Sequence, residues 1–287
     1  MAIQKRRLGK TGVELPMLGL GGEGLLRTFG RELGLGGEGL LRTFGREKEA
    51  HELINTALDL GISYMESARA YSKSESYYGA SLRERRKDVF LASKSHARDK
   101  AGALAHLRET LTNMKTDYLD LWQVHDVRTE EDIEAIFGPG GAMEAFREAK
   151  EKGQARFIGV TGHHDPVIIR KCLEAFDFDT ALIPVNPAEP CYKCFLEEIM
   201  PAAGAKDVGI LAMKVYLRNL WNAPKRLLLS YALSQPVAIA VVGCDDIAQL
   251  KENVEAAGNF QALKLKEVQR LKTMIAPYAK DLMFYKP

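Results

Sequence analysis

The chain has 287 residues, 46% of them hydrophobic, which is enough for a sizeable core in one large domain or two small ones. Its 40 basic and 38 acidic residues give a net charge of +2, so the charge balance implies no nucleic-acid partner. The apolar runs are too short to cross a bilayer, and the N-terminus lacks the apolar stretch of a secretory signal. These features predict a cytoplasmic protein that binds no membrane and has no obligate protein partner.

The N-terminal region contains a perfect repeat, because LGLGGEGLLRTFGRE occupies residues 18–32 and again residues 33–47. Natural repeat proteins have diverged copies and usually about three or more units. Complete identity instead indicates a very recent duplication or deliberate engineering, and the neat placement over one structural unit favours engineering. Ahead of the repeat, KRRLGKTGVEL has a Gly-Lys-Thr-Gly turn between two extended pieces, which predicts a β-hairpin.

After the repeat, short apolar or β-branched runs alternate with longer amphipathic stretches. The short runs predict strands at 62–66, 89–94, 118–125, 155–162, 180–186, 209–214 and 238–243. The amphipathic stretches predict helices at 47–60, 74–86, 101–114, 142–152, 166–176, 195–205, 225–234, 247–257 and 264–278. With Leu-Gly-Leu-Gly as the first strand, this alternation predicts the α/β class. The specific prediction is a (β/α)8 TIM barrel with an N-terminal hairpin and an extra C-terminal helix, formed by residues 1–287 as a single domain.

One copy of the repeat can supply the first barrel strand, and the residues before each copy differ. Pro16 and Met17 precede the first copy, whereas Arg31 and Glu32 precede the second. Using the second copy would place Glu32 near the barrel floor, where burying an unpaired charge costs at least about 2 kcal/mol. We therefore expect the first copy in the barrel and the second as an insertion above the catalytic face, since a longer loop costs little closure entropy.

Several predicted strands end in polar side chains, although the strands themselves are apolar. Active sites of β/α barrels are built at the C-terminal ends of the strands. The residues at these ends therefore predict one functional rim, and they are Glu66, Lys94, His125, Asn186 and Lys214. Tyr71 follows closely after the first of them.

Five segments around this rim resemble the aldo-keto reductase family, and in particular its microbial branch. The segments are SYMESARAYSKSESYYG, FLASK, LWQVH, GVTGHH and IPVNP. The resemblance extends from LGKTGVELPMLGLGG near the start to VVGCDDIAQLKENV near the end. It implies an NAD(P)H-dependent oxidoreductase that reduces a small aldehyde or ketone to an alcohol by hydride transfer.

The resemblance also implies catalytic roles for four residues. Tyr71 would be the general acid that protonates the carbonyl oxygen, and Lys94 would lower the pKa of its phenol. His125 would orient the substrate oxygen. Glu66 stands where the family usually has aspartate, and it is expected to keep an ion pair with Lys94 in altered geometry.

The cofactor site implied by the resemblance is less regular. The family's Ser-Asn pair after the fifth strand is absent, and Asp245 and Asp246 would repel a 2′-phosphate. The resemblance to the family nevertheless favours NADPH, and NADH is the alternative. Thr161, His163, Asn186 and Met213 would surround the nicotinamide. The remaining cofactor-binding candidates are Lys214, which could meet the pyrophosphate, Tyr216 and Leu217 shortly after it, and Gly243, Cys244, Asp245, Gln249 and Asn253 toward the adenosine.

Two other classes of function stay open from the sequence. A nucleotide-binding regulatory or scaffold protein of the same fold would turn over little, and the altered Glu66 position suits it. An unrelated barrel enzyme could bind a phosphorylated substrate, or use thiol chemistry through the CxxC of Cys191 and Cys194. Reduced thiols are favoured for this pair, and no metal site is expected because neither a second CxxC nor suitable histidines accompany it.

Overall fold

The N-terminal hairpin is present in the computed structural model, which describes residues 2–22, 41, 44–217 and 224–287. Strand β1 (Lys5–Arg7) pairs antiparallel with β2 (Glu14–Pro16), as the turn sequence predicted. Gly9 in the connecting 3-10 turn has φ +49, and a Cβ there would lie 2.3 Å from the backbone nitrogen of Gly209. Glycine is therefore required where the hairpin lies against the barrel.

Eight parallel strands form a closed barrel in the order β10-β3-β4-β5-β6-β7-β8-β9, which confirms the predicted fold class. Each strand falls within its predicted run, except that β5 extends one residue beyond its run to Ser95, because the apolar runs are long enough for one buried strand each. The strands are β3 (Leu18–Gly21), β4 (Tyr64–Glu66), β5 (Phe90–Ser95), β6 (Leu119–Val124), β7 (Ala155–Thr161), β8 (Thr180–Pro184), β9 (Gly209–Met213) and β10 (Ile239–Val242).

Helices pack around the barrel and connect its strands. Those on the barrel wall are α1 (Glu47–Asp59), α2 (Ser74–Leu82), α3 (Lys100–Met114), α5 (Ala142–Glu151), α6 (Pro166–Ala175), α7 (Phe195–Ala205), α8 (Lys225–Leu233) and α9 (Ile247–Gly258). The additional ones are α4 (Glu130–Phe137), α10 (Leu265–Ile275) and α11 (Ala279–Leu282). In the described part of the chain, no helix combines the length and apolar character needed to span a bilayer.

The first copy of the repeat supplies the first barrel strand, as expected. Leu18 is paired with Ala240 of β10, and Leu20 with Met65 of β4. Met17 is fully buried ahead of the strand, and its carbonyl accepts a hydrogen bond of 2.9 Å from the Ala240 N–H. Of the second copy, Leu41 is buried in the core and residues 44–47 lead into α1. The predicted insertion above the catalytic face lies on residues outside the described ranges.

Two helix ends differ from the sequence prediction by more than one residue, and two short helices, α4 and α11, were not predicted. Helix α2 ends at Leu82 and continues as a 3-10 segment from Arg83, whose φ is +38. Helix α10 ends at Ile275, where Pro277 in the next 3-10 turn provides no backbone N–H. Helix α4 was missed, although Thr129 caps its first turn by accepting from the Asp132 N–H at 3.2 Å. A Thr followed by acidic residues is a usual helix start.

Two apolar clusters stabilise the barrel. One lies inside it and includes Leu8 and Leu15 of the hairpin region together with Tyr64 and Leu121 from the strands. The hairpin therefore plugs the N-terminal end of the barrel. The larger cluster fills the space between strands and helices, for example where the rings of Trp122 and Phe146 stack at 3.8 Å. The C-terminal ends of the strands are left as the accessible end of the barrel.

Candidate active site

Four predicted catalytic residues lie at the C-terminal end of neighbouring strands. Glu66 is the last residue of β4, Lys94 is the last but one of β5, and His125 directly follows β6. Tyr71 lies in the loop between β4 and α2, where its N–H donates to the Ala68 carbonyl at 2.9 Å. The parallel register of β4, β5 and β6 brings these side chains to one rim.

The ion pair expected between Glu66 and Lys94 is present. Glu66 Oε1 lies 2.7 Å from Lys94 Nζ, and the two side chains are 5% and 1% exposed. Lys94 Nζ also donates to the Ser67 carbonyl at 2.8 Å. The lysine is therefore held on two sides in a buried position, where an unpaired charge would be costly.

Sequence reasoning missed the two residues that complete the surroundings of Glu66. Its second oxygen, Oε2, accepts from the Tyr64 hydroxyl at 2.8 Å and from Gln123 Nε2 at 3.0 Å. Burial, followed by the charge of Glu66, raises the pKa of Tyr64 well above its ordinary 10.0, so the phenol stays a donor. The alternation of side chains along a strand could have identified both residues. Tyr64 lies two residues before Glu66, and Gln123 lies two before His125, so each is on the same strand face as a catalytic candidate.

Tyr71 lies between Lys94 and His125. The ammonium nitrogen of Lys94 is 4.7 Å from the centroid of the Tyr71 ring. The rings of Tyr71 and His125 meet edge to face, with centroids 5.8 Å apart and an interplanar angle of 85°. A phenol close to a fixed positive charge and to an imidazole is suited to proton transfer.

His125 is held in its neutral form. Burial is the largest cause that lowers its pKa well below the ordinary 6.5, and the charge of Lys94 acts in the same direction. Its Nδ1 is enclosed and has no hydrogen-bond partner within the described part of the structure. Because buried polar atoms are normally paired, this nitrogen indicates a site that a ligand or water completes.

A cavity of about 160 Å³ joins the catalytic and part of the cofactor candidates. Asp126 and Leu182 contribute to it and were not predicted. The Asp126 carboxylate lies 3.3 Å from His163 Nε2 and pairs with Arg128. The cavity is lined by Tyr71, Lys94, His125, Asp126, Thr161, His163, Leu182, Met213 and Lys214.

A larger cavity, of about 270 Å³, lies at the opposite end of the barrel beside the hairpin. Its arginines are engaged by the chain itself: Arg6 donates to the carbonyls of Leu233 and Val237, and Arg7 pairs with Asp207 at 2.6 Å. The smaller cavity is the better functional candidate, because it contains His125, whose pKa is lowered, and the buried Lys94.

Asn186, predicted to contact the nicotinamide, is not among the residues that line the catalytic cavity. Its Nδ2 donates to the Tyr285 hydroxyl at 2.9 Å and to the Lys214 carbonyl at 3.3 Å, which uses both amide hydrogens. Tyr285 in turn donates to Glu189, which pairs with Lys286 at 2.9 Å. The C-terminal tail therefore takes up this amide, and only the tertiary structure could reveal that.

Four of the remaining cofactor candidates have their side chains engaged within the chain. The Tyr216 hydroxyl donates to Asn253 Oδ1 at 2.7 Å, and Asn253 Nδ2 contacts the sulfur of Cys244 at 3.3 Å. All three side chains are buried, and burial raises the pKa of the Cys244 thiol to about 12. Leu217 packs in a small cluster with the C-terminal tail. The side-chain hydroxyl, amide and thiol of Tyr216, Asn253 and Cys244 thus already have partners inside the chain.

The N-terminus of α9, beside the adenosine candidates, is already capped. The Asp246 carboxylate accepts from the Gln249 N–H at 2.8 Å. Gln249 Oε1 accepts from the Asp245 N–H at 3.2 Å, and Gly243 lies just after β10. A phosphate at this helix end would therefore compete with a carboxylate for the same donors.

The CxxC pair shows no sign of a metal centre. Cys191 is exposed, Cys194 is partly buried, and both are free thiols. Burial raises the pKa of Cys194, which disfavours the reactive thiolate. Over the described ranges, no group of at least three His, Cys, Asp or Glu side chains could hold a metal ion.

The fold and site define a barrel oxidoreductase with a tyrosine, a lysine and a histidine at its catalytic end. The model of the aldo/keto reductase family matches residues 32–222, which is more than half of the chain. The chain belongs to the aldo/keto reductase family and is an NAD(P)H-dependent oxidoreductase.

Individual relatives are similar along nearly the whole chain. "Uncharacterized oxidoreductase YqkF" of Bacillus subtilis is 27% identical, over 94% of this chain and 96% of the relative. Aldo-keto reductase AKR11C1 from Bacillus halodurans, in its holo form, has a TM-score of 0.76 at 23% identity, covering 95% and 96% of the two chains. An aldo-keto reductase from Klebsiella pneumoniae in complex with NADPH has a TM-score of 0.73 at 18% identity, covering 96% of each chain. These structures support the barrel fold.

Proposed function

We propose that the protein reduces an aldehyde or ketone to the alcohol, with NADPH as the hydride donor and Tyr71 as the general acid. One observation carries this proposal: Tyr71, Lys94 and His125 line one cavity while Glu66 fixes Lys94 from behind. Family membership supports carbonyl reduction, and the Klebsiella pneumoniae relative bound to NADPH supports the choice of cofactor.

The proton step belongs to Tyr71. When bound, the nicotinamide supplies a hydride to the carbonyl carbon. The Tyr71 hydroxyl gives its proton to the carbonyl oxygen as negative charge develops there, so the alcohol gains one hydride and one proton. The Lys94 ammonium, 4.7 Å from the Tyr71 ring centroid, stabilises the phenolate that remains.

His125 orients the substrate without competing for the role of acid. Its lowered pKa keeps the imidazole neutral, so it can donate one hydrogen bond to the carbonyl oxygen. Met213 and Leu182 give the same cavity an apolar wall, which excludes water from the reacting atoms.

The cavity has residues suited to the nicotinamide end of the cofactor, whereas the N-terminus of α9 is poorly suited to a 2′-phosphate. Thr161, His163 and Met213 line the cavity together with His125, and they would hold the ring. Lys214, also on the lining, carries the positive charge suited to a pyrophosphate. At α9 the Asp246 cap and Asp245 oppose a 2′-phosphate, so NADH is the cofactor to compare.

The test is oxidation of NADPH and of NADH in the presence of small aldehydes and ketones. Tyr71→Phe should lower the turnover by about 100-fold or more, because general acid catalysis contributes on this scale. Cys191→Ser is the matched control and should leave the rate unchanged, since its exposed thiol lies outside the cavity. Equal rates for Tyr71→Phe and wild type, or loss through Cys191→Ser, would contradict the mechanism. Tight cofactor binding without turnover would favour a scaffold protein.

A further inference from the structure

Glu75 is a buried carboxylate outside the proposed chemistry. It is the second residue of α2 and is 1% exposed. Its Oε1 accepts from the hydroxyls of Ser93 and Thr110, at 2.8 and 2.7 Å. Its Oε2 accepts from Arg69 Nη1 at 2.5 Å and from Asn113 Nδ2 at 3.3 Å. Each oxygen thus has two donors, and the donors come from three separate segments.

Two of these donors belong to the segments that carry Tyr71 and Lys94. Arg69 lies in the same loop as Tyr71, two residues before it, and its backbone N–H donates to the Lys94 carbonyl at 3.1 Å. Ser93 directly precedes Lys94 in β5. Glu75 therefore joins the tyrosine loop to the lysine strand, and its bonds to Thr110 and Asn113 fix both against α3.

Arg69 has a second acidic partner of a different kind. Its Nη2 lies 2.7 Å from Glu109 Oε2, but the Glu109 side chain is 59% exposed whereas that of Glu75 is 2% exposed. An exposed ion pair contributes little to geometry or stability, while a buried and fully hydrogen-bonded one holds its members in place. Glu109 is therefore a natural control for Glu75.

We propose that Glu75 is a positioning residue for proton transfer, and this rests on the proposed function of Tyr71. Through Arg69 and Ser93 it sets the separation between the Tyr71 loop and β5, so that the Lys94 ammonium stays against the Tyr71 ring. A displacement on the order of 1 Å at a catalytic group can cost about 100-fold in rate. The placement of Tyr71 thus depends on a carboxylate that is not itself part of the cavity lining.

The direction of the change in the Tyr71 pKa separates positioning from a simple charge effect. Glu75→Gln removes a negative charge and leaves Arg69 less neutralised, which alone would lower the pKa of the Tyr71 phenol. Loss of the fixed contact with Lys94 would raise that pKa. We expect it to rise, as followed by the phenolate ultraviolet absorbance of each protein minus its Tyr71→Phe counterpart, without cofactor.

Glu109→Gln is the control, and it should leave the phenol titration and the turnover within about twofold of wild type, as expected for an exposed pair. Glu75→Gln should lower kcat by about 10-fold or more with little change in the cofactor KM. Arg69→Lys keeps the charge but loses the two-pronged contact, so it provides a second variant should Glu75→Gln fail to fold. It should also raise the phenol pKa.

A fall or no change in the phenol pKa of a folded Glu75→Gln or Arg69→Lys variant would overturn the proposal, even if its melting temperature fell. The titration needs no turnover, so it stays informative if wild type reduces no carbonyl compound. If wild type reduces no carbonyl compound, the proposed function is refuted, but the titration can still measure the positioning of Tyr71.

Discussion

Replacing Glu66 by aspartate should destabilise this protein, although aspartate is the usual family residue at the position. The carboxylate would retreat by about one carbon–carbon bond, roughly 1.5 Å. Its two oxygens now serve opposite partners, with Lys94 at 2.7 Å on one and Tyr64 and Gln123 at 2.8 and 3.0 Å on the other. A shorter side chain cannot keep both sets, so at least one buried donor loses its acceptor.

The expected loss follows from what each donor costs. A buried donor left without a partner costs about 1–3 kcal/mol, and breaking a buried ion pair costs about 3–5 kcal/mol. Glu66→Asp should therefore lower the free energy of unfolding by about 2–4 kcal/mol. It should also leave kcat no higher than in wild type, because Lys94 or its support is displaced.

Urea unfolding of wild type, Glu66→Asp, Tyr64→Phe and the double variant measures the coupling. Tyr64→Phe removes one donor, so the aspartate substitution should cost less in that background, by about 1 kcal/mol or more. Equal stability of Glu66→Asp and wild type, or full additivity in the double variant, would refute the reasoning that Tyr64 and Lys94 share this carboxylate.

Two further outcomes are expected. The pKa of His125 is lowered in the folded state, so its contribution to stability is fully present above the unfolded pKa near 6.5 and is lost as the pH falls toward the folded value. Below about pH 6.5, the melting temperature of His125→Gln should thus decrease less with falling pH than that of wild type. Parallel curves of melting temperature against pH would contradict this. Met17→Glu should cost at least about 2 kcal/mol of unfolding free energy, since Met17 is 0% exposed beside β3. If residues 33–36 formed the strand instead, that substitution would cost little, and hydrogen exchange at the Leu20 amide would be fast.

Much of the fold could be predicted from the sequence because its signals are local. Apolar runs of strand length, alternating with amphipathic stretches, predicted every barrel strand, and the glycine-flanked turn predicted the hairpin. Helix α4 could also have been found from its Thr129 cap. The same pattern placed Glu66, Lys94 and His125 at strand ends, and the family motif singled out Tyr71.

What the tertiary structure decided concerns partners distant in sequence. Asn186 meets Tyr285 across 99 residues, and Gln123 meets Glu66 across 57, so no local pattern could reveal either contact. The two identical copies of the repeat show this most directly, because local sequence gives them the same strand propensity. The strand forms from the first copy, which places Met17 in the fully buried position before the strand. The second copy would place Glu32 there, and the desolvation of its charge would be costly. Sequence determined that a strand of this composition exists, and burial in the assembled barrel selected the copy that forms it.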